Sequence, residues 1–317
     1  MGTLCACAVR VPCSTSNLGA GFDCIGLAFS TYLDAGFEPD AEPLRITRAG
    51  TLRNLDIPVD DDVIAIAFRS ELARRGIREV TGRLLVTSQV PVGRGLGSSG
   101  AAVVAGIALA AGACGDALDR DTALPVATRV EGHPDNSAPS LYGGLVAVAF
   151  GDHATPRAMH LPLSPAVRFV FAAPDVEVST QRARAALPQH VPHSAASRNL
   201  GRVAALLHGL ANADADAIAL GFADELHVPY RLPLIPGARQ AIDAAHEAGA
   251  WATTISGSGS GLIAACADGA EDAVLGALTQ AFTQAGQRAA GFVARPDMRG
   301  AQPRDFGTLR DALRSAS

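Results

Sequence analysis

The densest chemical signal is Pro91-Val-Gly93-Arg94-Gly95-Leu96-Gly97-Ser98-Ser99-Gly100. Glycines let backbone approach a phosphate closely. A helix starting just after them turns unpaired N–H groups and a partial positive charge toward an anion. Ser98 and Ser99 add hydroxyls for phosphate oxygens or a magnesium ion. Read alone, the segment also fits a plain glycine-rich turn with a serine cap. A second group, Glu131-Gly-His133-Pro134-Asp135-Asn136, sets carboxylates and an amide at a turn. Such donors suit Mg2+ and its waters, and Asx-type turn chemistry around Pro134 is the plain alternative. Ser256–Gly261 and Ser14–Asp23 are rich in Ser and Gly. By themselves they read as a hairpin loop and a long surface loop.

The 317-residue chain holds 48% hydrophobic and 18% charged residues, so a sizeable core forms and disorder is excluded as the main state. Its length fits two domains or one large one. A net charge of −5 argues against nucleic acid as a partner, which needs a basic footprint. All 26 basic residues are arginine. That excludes a Walker-A lysine, a Schiff-base lysine and a protein-kinase-type ATP site. The phosphate loop must therefore work by backbone dipoles and hydroxyls. The six cysteines form no C-x-x-C pair, so a zinc site is not expected. Met1–Ala8 lacks a leader pattern, and no unbroken apolar run reaches about 18 residues. The expectation is a cytoplasmic protein with free thiols.

Strands and helices must bring these groups together. The pattern predicts strands at Cys5–Val11, ended by Pro12, and at Ile25–Phe37, with a loop at Ser14–Asp23 between them. Asp61 and Asp62 cap a helix running to Arg75. Leu84–Val90 is a strand, and Ser98–Ala111 is a helix apolar nearly all round, hence buried. Thr122–Val130 is helical and Gly143–Phe150 a strand. Polar Gly151–Pro165 marks the domain boundary, giving units 1–155 and 156–317. Beyond it come strand Val167–Ala173, helices Thr180–Ala186 and Ser197–Leu210, the latter with Leu200, Val203, Leu206 and Leu207 on one face, and helix Gly237–Ala248. A hairpin follows at Trp251–Ile255 and Leu262–Ala265. Helix Ala270–Ala285, strand Ala290–Arg295 and a short helix at Phe306–Leu313 complete the pattern. Alternation in both halves indicates two mixed layers.

Together the four motifs reproduce one family pattern in order. The chain resembles the GHMP small-molecule kinases over residues 5 to about 295. The phosphate loop matches the family's P-x-x-x-G-L-G-S-S signature, and Ile255–Gly261 resembles its terminal glycine-rich motif. Further marks are Asn17-Leu-Gly-x-Gly-Phe-Asp23, Glu131–Asn136 with Gly143-Gly144, Ser179-Thr180 with Arg184, Asn199-Leu-Gly-Arg202, and Leu226-His-x-Pro-Tyr-Arg231 running on to Gly237. The resemblance implies an α+β fold, with an N-terminal ribosomal-protein-like α/β domain and a C-terminal ferredoxin-like domain. It implies ATP-dependent phosphorylation of the side-chain hydroxyl of L-homoserine, on the way to threonine. Homodimers are common in the family.

By the same resemblance, Pro91, Gly93, Arg94, Gly95, Leu96, Gly97, Ser98 and Ser99 bind ATP. Ser98, Ser99 and Glu131 hold Mg2+. Asn17, Asp23, Asn136, Thr180, Arg184 and Arg231 surround the amino acid, with Asp23, Asn136 and Arg184 as the candidate catalytic residues. The chemistry agrees: an α-carboxylate needs a guanidinium fork, and an ammonium needs acceptors such as Asn17 and Asp23. Asp135 is not taken as a general base. The sequence departs from the family at Ala20 (usually Pro), Gly100 (usually Ala), His193–Arg198 and Ser260-Gly261 (usually Pro-Thr). A kinase of the same fold acting on another hydroxy-amino acid is the alternative, and a non-catalytic binder on the same scaffold is a more distant one.

Overall fold

The computed structural model describes residues 4–151 and 154–315. Met1–Thr3, at the start of the segment read for a leader, and Asp152 and His153, within the expected domain link, lie outside them. The first sheet contains β1 (Cys7–Asn17), β2 (Gly21–Pro43), β3 (Arg45–Gly50), β4 (Thr81–Ser88), β5 (Leu145–Phe150), β6 (Pro156–Leu161) and β11 (Gln302–Arg304). Its main path runs β11-β1-β2-β4-β3, with β5 joining β2 to β6. The expected division at 155/156 therefore falls inside this sheet, between β5 and β6. Composition marked a linker there because an edge strand with one wet face is polar.

Four helices cover the sheet: α1 (Val63–Arg74), α2 (Ser98–Ala113), α3 (Arg120–Glu131) and α4 (Ser137–Tyr142). Asp62 caps α1 by accepting from the N–H groups of Ile64 and Ala65, as the sequence predicted. α2 is buried on almost every side among sheet and helices. Its Ala and Gly content allows close packing, and a Cβ at Gly106 would lie 2.4 Å from the Ile64 carbonyl oxygen of α1.

The second sheet is antiparallel in the order β10-β7-β9-β8, from β7 (Arg168–Pro174), β8 (Ala250–Ile255), β9 (Leu262–Cys266) and β10 (Ala289–Ala294). Counted within this unit the order is 4-1-3-2, the ferredoxin-like arrangement the resemblance implied. The hairpin is present, with Ile255 opposite Leu262. Its helices are α5 (Thr180–Ala185), α6 (His193–Asn212), α7 (Ala215–Phe222), α8 (Val228–Arg231), α9 (Ala238–Glu247) and α10 (Glu271–Gln284). On α6, Leu206 and Leu210 are buried but Leu200 is 74% exposed, so the apolar face begins a turn later than predicted. The last helix, α11 (Phe306–Ser315), returns to the first sheet through Leu309 and Leu313.

One prediction fails instructively. Pro12 does not end the first strand: β1 runs to Asn17, with a register shift between Pro12 and Cys13. Ser14, Thr15, Ser16 and Asn17 are strand residues and fully buried, not a surface loop. Their hydroxyls and the Asn17 Nδ2 group are satisfied by residues more than a hundred positions away, which overrides their turn preference.

Candidate active site

The phosphate loop emerges from β4 and ends at Gly97, the N-cap of α2 with φ of +59°. No side chain caps this helix, so its first N–H groups remain available to an anion. Gly95 has φ of +79°, and a Cβ there would sit 2.0 Å from the Ser256 carbonyl oxygen. The terminal glycine-rich loop is thus a brace. Ser256 Oγ donates to the Gly95 carbonyl at 2.6 Å, and the Gly261 N–H donates to the Arg94 carbonyl at 3.1 Å.

At the loop's end, Ser99 Oγ donates to Glu131 Oε1 at 2.5 Å. Burial raises the Glu131 carboxyl's pKa against the opposing effect of that bond. A carboxylate in such a place gains from a cation. Mg2+ needs only one or two carboxylates when phosphates and water complete its shell, so Glu131 with the two serines fits it. His133 Nδ1 lies 2.6 Å from Asp135 Oδ1. Burial alone would lower this imidazole, but the bond to Asp135 and the charges of Asp135 and Glu131 outweigh it and raise its pKa.

Asn136 is committed elsewhere. Its Nδ2 donates to Ser16 Oγ at 3.1 Å, and its Oδ1 and carbonyl accept from Ser14 Oγ at 3.2 and 3.0 Å. It supports the floor beneath Gly97 and Gly100, where added Cβ atoms would meet its Oδ1 at 2.6 Å and its Cβ at 2.9 Å. The close approach at Gly100 explains a glycine in a first helical turn.

The residues expected around the acceptor, Asn17, Asp23, Arg184 and Arg231, gather across β1, β2, α5 and α8. Asn17 and Asp23 have φ of +74° and +56°, a strained state that short polar side chains tolerate best. Asn17 Nδ2 donates to the Gly257 carbonyl at 2.8 Å, and its Oδ1 accepts the Asp23 N–H at 3.0 Å. Its amide is therefore spent on placing Asp23. Arg184 holds both Asp23 oxygens, at 2.9 and 3.0 Å. Arg231 is only 2% exposed. Its hydrogen bonds are 3.4 Å contacts to the carbonyls of Ala183 and Gly257, and burial lowers its pKa. Among the described residues no carboxylate lies within ion-pair distance of it.

One expected residue stands apart. Arg94 turns away from the phosphate loop to pair with Asp175 at 2.6 Å, lining with Pro91 a separate cavity of about 350 Å³. Thr180 is exposed and lies one turn before Arg184 on the same face of α5, beside the acceptor residues. At Ala20, the departure from the family's proline, the N–H donates to the Gly221 carbonyl at 2.8 Å, a bond proline would forfeit. One feature escaped sequence reading. An apolar cavity of about 160 Å³, with Leu52, Leu55, Ile57 and Val92 in its wall, opens beside Ser98 and Ser99. Its walls come from segments that show no shared motif.

A glycine-rich anion cradle without lysine, braced between an α/β sheet and a ferredoxin-like sheet, defines a small-molecule kinase of the GHMP class. The chain belongs to the GHMP kinase family: residues 61–144 match the GHMP kinases N terminal domain, and residues 197–284 match the GHMP kinases C terminal domain. Within it, the chain is 36% identical over 293 residues to homoserine kinase of Carboxydothermus hydrogenoformans, covering 92% of this chain and 95% of that protein. Homoserine kinase of Moorella thermoacetica is 41% identical over 281 residues, covering 88% and 93% respectively. The crystal structure of homoserine kinase from Cytophaga hutchinsonii superposes with a TM-score of 0.84 at 29% identity, over 94% of this chain and 97% of that one.

Proposed function

We propose that the protein transfers the γ-phosphoryl group of ATP to the side-chain hydroxyl of L-homoserine, forming O-phospho-L-homoserine, with Mg2+ as cofactor. The observation that carries this is Arg231. A buried guanidinium with no acid partner requires an anion, and the substrate's α-carboxylate supplies one. The ammonium group goes to Asp23, which the Asn17 amide and Arg184 hold in place. The triphosphate lies on Gly93–Ser99 and the N-terminus of α2, and the adenine enters the apolar cavity beside Ser98.

Chemistry here is positioning and charge neutralisation. Both oxygens of Asp23 accept from Arg184, which commits them to the ion pair, and no side-chain base is assigned. Mg2+, when bound, neutralises phosphate charge, and Glu131, Ser98 and Ser99 are the residues that would hold it. By their sheet pairing, 156–161 and 302–304 are assigned to the ATP-holding unit. No helix among the described residues is long and apolar enough to cross a membrane. A cytoplasmic location and a homodimer complete the reading.

ADP release with ATP and Mg2+ against L-homoserine, L-threonine and L-serine tests it. Homoserine should lead in kcat/KM. Preference for another hydroxy-amino acid transfers the function to that acceptor, and no turnover with any of them removes the kinase reading.

A further inference from the structure

Arg231 is held in place by a chain of contacts that begins at Asp224. One Asp224 oxygen, Oδ2, accepts the N–H groups of Leu226, His227 and Val228 at 2.9, 2.6 and 2.8 Å. This fixes the backbone at the head of α8. His227 is fully buried. Its Nε2 lies 3.0 Å from the Gly19 carbonyl, which makes Nε2–H the donor and leaves Nδ1 without a partner. The imidazole stacks on Phe22 with ring centroids 4.8 Å apart and planes 19° from parallel. The Arg231 guanidinium lies 5.0 Å from the centroid of that same Phe22 ring. Burial lowers the pKa of the imidazole, against the opposing charge of Asp224, and the Arg231 charge acts in the same direction as burial. The arrangement leaves a buried nitrogen unsatisfied, a cost a leucine at this position would not carry.

We propose that His227 is a positioning residue for the acceptor's carboxylate, pinning the Gly19 carbonyl and the Phe22 ring so that the ring aims Arg231. The inference rests on Arg231 as the carboxylate contact. Steady-state kinetics on His227→Gln, Phe22→Leu, Arg231→Leu and the His227→Gln/Arg231→Leu pair test both. His227→Gln keeps a donor but loses the flat face. It should raise KM for L-homoserine about tenfold while kcat and the KM for ATP stay within about twofold. Added to Arg231→Leu it should do little more, because both act through one contact. Phe22 is only half-buried, so Phe22→Leu gives the same readout if the buried glutamine weakens the fold. A full multiplicative effect in the double variant, or equal changes in both KM values, overturns the proposal. An unchanged KM in Arg231→Leu overturns the carboxylate assignment itself and the positioning role with it.

Discussion

Glu131 shows how one residue's setting decides its use. The pKa of its carboxyl is raised by burial, so without a cation beside it ionisation is disfavoured and stability falls as pH rises through its titration. A bound divalent cation requires the ionised form. The Mg2+ requirement should therefore grow as pH falls toward the raised value. Glu131→Gln should weaken apparent Mg2+ affinity on the order of 10–100-fold and flatten that pH dependence. Mg2+ titrations of activity at several pH values check both, and wild-type behaviour in the variant removes Glu131 as a ligand. The cysteines follow the same physics. Burial pushes the Cys7 and Cys13 thiols up to about 12, so neither is a nucleophile near neutral pH. They pack as small apolar groups, whereas Cys5 is exposed.

At the scale of elements, the phosphate loop depends on a partner loop far along the chain. Gly95→Ala would drive its Cβ into the Ser256 carbonyl from a left-handed backbone. The cost is about 1–3 kcal/mol, and it falls on the loop, since α2 itself is gripped on all sides. Expected are a KM for ATP raised about tenfold or more, a lowered Tm and a KM for the acceptor little changed. An unaltered KM for ATP would show that Ser256–Gly261 does not brace the cradle. Elements with strong local signals were legible in sequence: α1 by its aspartate cap, α2 by its unbroken apolar composition, the β8–β9 hairpin by its glycine-serine turn. The Ser14–Asn17 part of β1, the edge strand β6 and the three-residue β11 were not. Each owes its conformation to a partner distant in sequence, which local propensity cannot register.

At the scale of the whole molecule, the chain closes on itself. β11 pairs with β1, and α11 lays Leu309 and Leu313 on Ala8, Ala49 and Leu85. A Cβ at Gly36 would come within 3.0 Å of Leu309 Cδ2, so helix and sheet are in close contact. Leu309→Ala should cost about 2–4 kcal/mol without changing either KM. Thermal or urea unfolding measures the loss, and an unchanged midpoint would mean α11 adds nothing to the sheet's stability.

The order of motifs, through the family it resembles, determined the class of chemistry, the α+β fold and the candidate residues for phosphate and amino acid, and the absence of lysine excluded a Walker-A or Schiff-base site. Motif order and residue type are read without coordinates. Tertiary structure alone decided that Arg94 leaves the cradle for Asp175, that Asn17 and Asn136 spend their amides on scaffold, and that Arg231 is buried without an acid. Whether a polar side chain faces ligand or protein depends on which donors and acceptors the fold brings within about 3 Å, and those partners come from opposite ends of the chain.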